Sequence, residues 1–351
     1  MPRLRPDLDT IPSYDPGKPV AAEVGDLAEL ASNECPTEPF PEVQAVIAEA
    51  ARTVHRYPET NAHYLVEALA ERHQIGADHL WVAPGSTGVL MSTALAACGP
   101  GTSVVFADPS FVVYRMAARV AGAEPIAVPL DSEWRLDPAA LAAAIRSDTN
   151  VLYYCNPNNP TGTYTTAADA ERLVELVPDR VTIVIDEAYF EYVDAPNYAT
   201  AVPLAVSRDN VIVTRTFSKV YGLAGMRIGY AIGQPETIRS LRRPQPPYAT
   251  TALAQAAAIE ALRHPDLVED RAKDNAAGRA HLTDFLRDLG EAVIDSQTNF
   301  ILWEPQLDPA AIAAALITRG IMVRPMGPWL RITIGTEEEN RRCAAAIVDV
   351  I

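Results

Sequence analysis

Apolar residues recur along this chain with two alternating periods. At 41–53 ("PEVQAVIAEAART") and 62–75 ("AHYLVEALAERHQI") they fall at helical spacing, and at 79–85 ("HLWVAPG") they run together as in a strand. The alternation continues with helices at 88–98, 111–122, 138–146 and 167–177, separated by strands at 102–110, 124–130 and 150–155. Two short apolar strands follow, at 181–189 and 210–218. Short β-branched runs between helices predict a mainly parallel sheet covered on both faces. In such a sheet a ligand sits beyond the carboxyl ends of the strands. The unusual residues gather at those ends, in "APGST", "DPSF", "CNPNNP", "IDEAY" and "TFSK".

Residues 1–38 are rich in proline and polar groups and read as an extended arm. Prolines cluster in "LRRPQPPYATT", which predicts a linker between a large domain over 39–243 and a smaller one over 244–351. The smaller domain reads as one long helical stretch (251–290), three short strands (299–305, 321–327, 329–335) and a terminal helix (337–351). The expected fold is therefore α/β, a three-layer αβα large domain with a smaller α+β C-terminal domain.

Charge narrows the partners. The net charge of −16 repels phosphate backbones and anionic lipid, which argues against nucleic acid and membrane partners. No run of 18 apolar residues is present, and "MPRLRPDLDTIPSYDPGKP" has no apolar signal core. Four scattered cysteines without a CxxC pair argue against a zinc site or disulfide framework and suit a reducing compartment. A cytoplasmic protein without a metal is the expectation.

Lysine is scarce, with Lys18, Lys219 and Lys273 the only three among 29 basic residues. Lys219 follows a strand, beside the hydroxyls of Thr216 and Ser218, with Arg227 beyond a turn containing Gly222 and Gly225. A solvated surface lysine is the plain reading. However, a lysine can lose its proton and form an imine while an arginine fork grips phosphate, the pair of functions that pyridoxal phosphate needs. The turn with Gly85, Ser86, Thr87 and Gly88 opens a helix, either as an ordinary cap or as a phosphate site. Asp186 ends an apolar strand, where a carboxylate calls for a cation such as a protonated pyridine nitrogen, or else forms a cap or salt bridge. Tyr189 and Asn159 could hydrogen-bond the ring oxygen of such a cofactor, although "CNPNNP" is also plain turn chemistry. Arg331 in "WLRITIG" is either an exposed edge residue or a clamp for an anionic substrate.

In this order the segments resemble the fold type I, aspartate-aminotransferase-like enzymes, and more closely the histidinol-phosphate aminotransferase family. The likeness runs from "IPSYDPGKP" and "LASNECP" through "RYPE", "CNPNNPTGT", "IDEAYFEY" and "RTFSKVYGLAGMRIGYAIG" to "TNF" and "LRITIG". It implies pyridoxal 5′-phosphate as cofactor, with Lys219 carrying the Schiff base and shuttling the proton between Cα and C4′. Asp186 would pair with the pyridine nitrogen, Asn159 and Tyr189 would bind the ring oxygen, and Phe111 would stack on the ring. Gly85, Ser86, Thr87, Thr216, Ser218 and Arg227 would surround the phosphate. Tyr57 would reach that phosphate from a partner subunit, which implies a homodimer with shared sites. Tyr14, Asn33, Arg324 and Arg331 would face the amino acid and 2-oxo acid substrates.

Many members carry an acidic pair in the phosphate turn and tyrosine where Phe111 stands. The "GSTG" turn and Phe111 are more similar to the aromatic (phenylalanine) aminotransferase branch, while "PQPPYATT" departs from the usual pocket-lining pattern. The expected reaction is ping-pong amino transfer between an aromatic L-amino acid and 2-oxoglutarate. Histidinol phosphate is the alternative donor, and a same-fold decarboxylase or a specialised-metabolism aminotransferase stands further off. A sensory module fused to a DNA-binding domain is disfavoured by the acidic charge.

Overall fold

The alternating runs resolve into one seven-stranded sheet in the computed structural model, which describes Arg5, residues 8–12 and residues 27–351. Tyr14 lies outside the described residues. The chain enters through strand β1 (Ala28–Glu29) and helices α1 (Pro41–Ala50) and α2 (His63–His73). Then come β2 (Leu80–Ala83), α3 (Gly85–Ala97), β3 (Ser103–Asp108), α4 (Val113–Val120), β4 (Glu124–Pro129) and α5 (Pro138–Ala143). β5 (Thr149–Cys155), α6 (Ala167–Leu176), β6 (Thr182–Asp186), α7 (Val202–Ser207), β7 (Val211–Thr216), β8 (Gly229–Ile232) and α8 (Pro235–Leu241) complete the layers.

The strand order is β2-β8-β7-β6-β5-β3-β4, parallel except for β8, which runs against both its neighbours. Successive residues of a strand point to opposite faces, and here both faces are apolar. Ile183, Ile185, Val211 and Val213 enter one buried cluster, while Val184 and Ile212 enter another on the far side. The uninterrupted apolar runs follow from that double burial, and the large domain is a three-layer αβα sandwich. No helix among the described residues is long and apolar enough to cross a membrane.

The rest of the chain adds α9 (Ala252–Leu262), α10 (Pro265–Asp288), β9 (Ala292–Ile294), β10 (Phe300–Glu304) and α11 (Pro309–Ile317). β11 (Ile321–Met322), β12 (Arg324–Met326), β13 (Trp329–Thr333) and α12 (Glu337–Val348) follow. An antiparallel sheet in the order β12-β13-β10-β9 packs with α10, α11 and α12 around Trp303, Leu316 and Ile347.

Four features differ from the sequence expectation. The stretch 251–290 is two helices, because Pro265 has no N–H to continue α9 and opens α10 instead. The alanine face of α9 packs in the large core with Val43 and Leu65, so the first helix after the proline cluster sides with the large sheet. The end of the arm is woven into the small core: β1 pairs in parallel with β11, and Ala28 and Leu30 are buried there. The proline-rich segment itself is pinned, with Trp81 Nε1 donating to Gln245 Oε1 at 2.8 Å and Gln245 Nε2 donating to the Val82 carbonyl at 3.2 Å.

Candidate active site

β2, β3, β5, β6 and β7 end on one edge of the sheet, and a cavity of about 620 Å³ opens there. Its walls include Ser86, Phe111, Asn159, Asp186, Tyr189 and Lys219, together with Arg324 and Arg331 from the small sheet.

At one end the antiparallel strand does the assembling. Thr216 of β7 lies opposite Gly229 of β8, and Gly229 lies opposite Ala83 of β2. The residues just beyond these three positions are Ser218, Arg227 and Gly85-Ser86-Thr87, so the register brings them together from three distant segments. The approach is close enough to exclude a side chain at 229. A Cβ there would lie 2.6 Å from the Arg215 carbonyl and 2.7 Å from the Ser86 N. Gly85, at φ 73°, leaves room for the Arg227 guanidinium, whose Nη2 a Cβ would meet at 2.7 Å. Arg227 holds a left-handed backbone (φ 53°) and donates from Nη1 to Ser218 Oγ at 3.2 Å and the Ala224 carbonyl at 2.8 Å. The Thr216 hydroxyl donates to Ser218 Oγ at 2.9 Å and accepts the Ser218 N–H, so it braces the turn. A guanidinium, the hydroxyls around it and the first N–H groups of α3 form a nest for a dianion.

Lys219 occupies the middle. Its Nζ donates to the Asn33 carbonyl at 3.0 Å and sits 5.6 Å from the Tyr189 ring centre. Burial, with the positive charges of Arg331 and Arg227, brings its pKa down to about 8. Asp186, only 2% exposed, is pushed up to about 6 by burial, against which a hydrogen bond from Tyr114 Oη to Oδ2 (2.9 Å) and the Ala188 N–H work. Among the described residues Asp186 forms no salt bridge, and the only cation that lowers its pKa is Lys219. Glu187, the next residue, does not line the cavity and is matched instead with Arg215 at 2.8 Å.

At the other end, β12 and β13 place Arg324 opposite Arg331. Arg331 donates from Nη1 to Asn159 Oδ1 at 2.7 Å and from Nη2 to the Ala31 carbonyl at 2.8 Å. Since arginine only donates, the Asn159 oxygen must face it, which leaves the amide N–H₂ for another acceptor.

Asn33 lines the cavity, as expected of a substrate contact, and its polar atoms are also engaged within the protein. It is 1% exposed, adopts φ 55°, and donates from Nδ2 to Tyr189 Oη at 3.0 Å. Its N–H bonds Thr333 Oγ1 at 2.9 Å, and its carbonyl also accepts from Asn299 Nδ2 at 3.1 Å, so it ties arm, large sheet and small sheet at Lys219. Tyr57 is not among the cavity residues. It is 81% exposed and stacks on Tyr248 with ring centres 4.5 Å apart. Sequence reasoning passed over Tyr114, which stands three residues after Phe111 in the first turn of α4.

Comparison with known proteins agrees with this fold. The profile described as "Aminotransferase class I and II" matches residues 25–347. The chain is 40% identical over 340 residues to an "Aromatic amino acid aminotransferase" of Thermobifida fusca, covering 97% of this chain and 94% of that protein. It is 37% identical over 362 residues to a "Histidinol-phosphate aminotransferase" of Moorella thermoacetica, covering 100% and 94%. The solved histidinol-phosphate aminotransferase of Sinorhizobium meliloti, in complex with pyridoxal-5′-phosphate, superposes with a TM-score of 0.91 at 27% identity over 100% of this chain and 98% of that one. The fold and site define an amino-group transferase with a lysine at its centre. The chain belongs to the class I and II aminotransferase family.

Proposed function

We propose that this aminotransferase moves an amino group between an aromatic L-amino acid and 2-oxoglutarate, with pyridoxal 5′-phosphate as cofactor. The observation that carries the cofactor is the order of groups along one cavity: an anion nest at Arg227, a lysine near pKa 8 at 219, and a buried carboxylate at Asp186. These residues fit the group. Gly85, Ser86, Thr87, Ser218 and Arg227 would hold its phosphate, with Thr216 bracing Ser218. Asp186 would meet its ring nitrogen, Asn159 and Tyr189 its ring oxygen, and Phe111 its face. When bound, the cofactor supplies a carbonyl for the amino group and a ring that draws electron density from the substrate Cα.

The remaining chemistry belongs to the chain. With its pKa lowered to about 8, a fraction of Lys219 is the neutral amine at neutral pH, and in that form it would take a proton from the substrate Cα and return one. Its cation, when formed, rests on the Asn33 carbonyl. Asp186 is an anion above about pH 6, and as a buried anion it would favour the protonated form of the ring nitrogen opposite it. Arg331, oriented by Asn159 and the Ala31 carbonyl, would clamp the substrate carboxylate, with Arg324 beside it. Ping-pong kinetics are expected because both substrates must use the same lysine.

The names of the Thermobifida fusca and Mycobacteroides abscessus relatives, each "Aromatic amino acid aminotransferase" at 40% identity, support an aromatic donor. The full-length likeness to the Moorella enzyme favours histidinol phosphate as the second reading, since Arg331 could grip its phosphate instead. Holoenzyme mixed in turn with phenylalanine, tyrosine and histidinol phosphate decides between them. The donor that converts the cofactor's visible band fastest at equal concentration is the substrate, and no conversion by either aromatic amino acid sinks the first reading.

A homodimer with shared sites is part of the proposal. It is supported by the exposed Tyr57 ring, stacked on Tyr248, which is itself 44% exposed. Co-expressed Tyr57→Ala and Lys219→Ala chains should regain about a quarter of wild-type activity, because half the dimers are mixed and each mixed dimer has one intact site. No recovery beyond the Tyr57→Ala homodimer would place Tyr57 outside the partner's site.

A further inference from the structure

We infer that Tyr114 is a positioning residue for the reaction: its hydroxyl orients the Asp186 carboxylate and keeps it charged, while its ring fixes that of Phe111. One side chain would then set both the group facing the cofactor's ring nitrogen and the surface against the ring's face. The inference rests on the cofactor reading above.

A fully buried tyrosine hydroxyl needs a partner, and a backbone carbonyl is the usual one. Tyr153 next to it uses the Leu90 carbonyl at 2.7 Å. The Tyr114 hydroxyl goes instead to Oδ2 of Asp186, on a strand 72 residues away, at 2.9 Å. Its ring has no freedom to swing aside. It is 0% exposed and stacked on Tyr153 at 4.8 Å and 15°. Phe111 stands edge-on to it at 5.8 Å and 90°, and Phe106 leans on it at 6.4 Å.

The bond has a direction that matters. Burial and the Asp186 charge hold the Tyr114 phenol far above its ordinary pKa, so it remains a donor throughout the working range. Among the groups around Asp186 it is the largest influence opposing burial, ahead of the Ala188 N–H on Oδ1 at 3.2 Å. Together the two donors use one side of each carboxylate oxygen and leave the remaining lone pairs for the cavity. Without Tyr114 the carboxylate would more readily keep a proton, and a neutral acid holds a cationic ring nitrogen poorly. The residue touches neither the cavity nor a substrate, so it acts through Asp186 and Phe111.

Four proteins test this: wild type, Tyr114→Phe, Asp186→Asn and the double variant. Two readouts are taken, the dissociation constant of pyridoxal phosphate from the cofactor-free protein and kcat with KM for phenylalanine. Thermal unfolding serves as the control for folding. Tyr114→Phe should weaken cofactor binding and lower kcat by about tenfold each, the size of a hydrogen bond to a charged group, with KM unchanged. In the Asp186→Asn background the same change should cost almost nothing, because the charge it serves is gone. An equal loss in both backgrounds would reduce Tyr114 to packing and overturn the inference. So would a loss in Asp186→Asn with none in Tyr114→Phe. If Asp186→Asn itself changes neither readout, the assignment of Asp186 falls first and this inference with it.

Discussion

Arg331 and Asn159 are joined across the two sheets, with guanidinium Nη1 2.7 Å from the carboxamide oxygen. The bond links the residue that would hold the substrate's anion to the one that would hold the cofactor's ring oxygen. Arg331→Ala should therefore raise KM for the amino donor by tenfold or more, roughly the loss of one charged hydrogen-bond pair. It should also lower kcat, because Asn159 loses the neighbour that orients its amide. Asn159→Ala combined with Arg331→Ala should cost less than the two losses added, as a double-mutant cycle on both constants would register.

In the proposed reaction Lys219 carries the chemistry, and Lys219→Ala should abolish turnover. A pH series on the wild type adds a sharper check. With its pKa lowered from 10.5 to about 8, Lys219 is a neutral amine above pH 8. The rate at which cofactor-free protein captures pyridoxal phosphate should therefore rise with pH to a plateau, with a midpoint near 8. In Arg331→Ala the midpoint should move up, since that charge is the largest influence after burial. Stopped-flow absorbance measures both.

Asp186→Asn should lower kcat by about two orders of magnitude while saturating cofactor still binds. Its stability should also respond to pH. The Asp186 pKa is raised from 3.8 to about 6 in the folded, cofactor-free protein. Below 3.8 the group is neutral folded or unfolded and costs nothing. Between 3.8 and about 6 the folded state binds more protons, so stability falls as pH rises, and above 6 the penalty is complete. The difference in melting temperature between Asp186→Asn and wild type should thus swing toward the variant from pH 4 to pH 7.

Gly85→Ala should damage the anion nest. The left-handed backbone strains any side chain, and the new Cβ would push on Arg227 Nη2 at 2.7 Å. The expected cost is about 1–2 kcal/mol of stability. A weaker hold on pyridoxal phosphate should accompany it, measured by cofactor titration beside a thermal melt.

Much of this was legible in the chain because parallel strands announce themselves. Buried on two faces, β5, β6 and β7 carry the apolar runs Val151–Tyr154, Ile183–Ile185 and Val211–Val213, and the candidate site lies just beyond them. β8 escaped notice because "GYAI" is four residues after a glycine-rich turn, too short to show a period. α7, of six residues, is equally brief. The role of Asn33 was hidden for another reason. Its contacts are with residues 189, 219, 299 and 333, and no local spacing encodes a meeting of that range. Tyr114 was passed over because its hydroxyl partner, on β6, is 72 residues away in sequence.

The reversed direction of β8 has a consequence for how the protein comes apart. Ala83, Thr216 and Gly229 are neighbours across a single seam, and the proposed anion nest is built from residues adjoining each of them. A guest gripped there acts as a rivet through the margin of the sheet. Peeling β2 and β8 away from β7 and releasing the cofactor become the same event. Amide hydrogens of β2 and β8 should then exchange faster once the cofactor is removed, while those of β5 and β6, deep in the sheet, keep their protection.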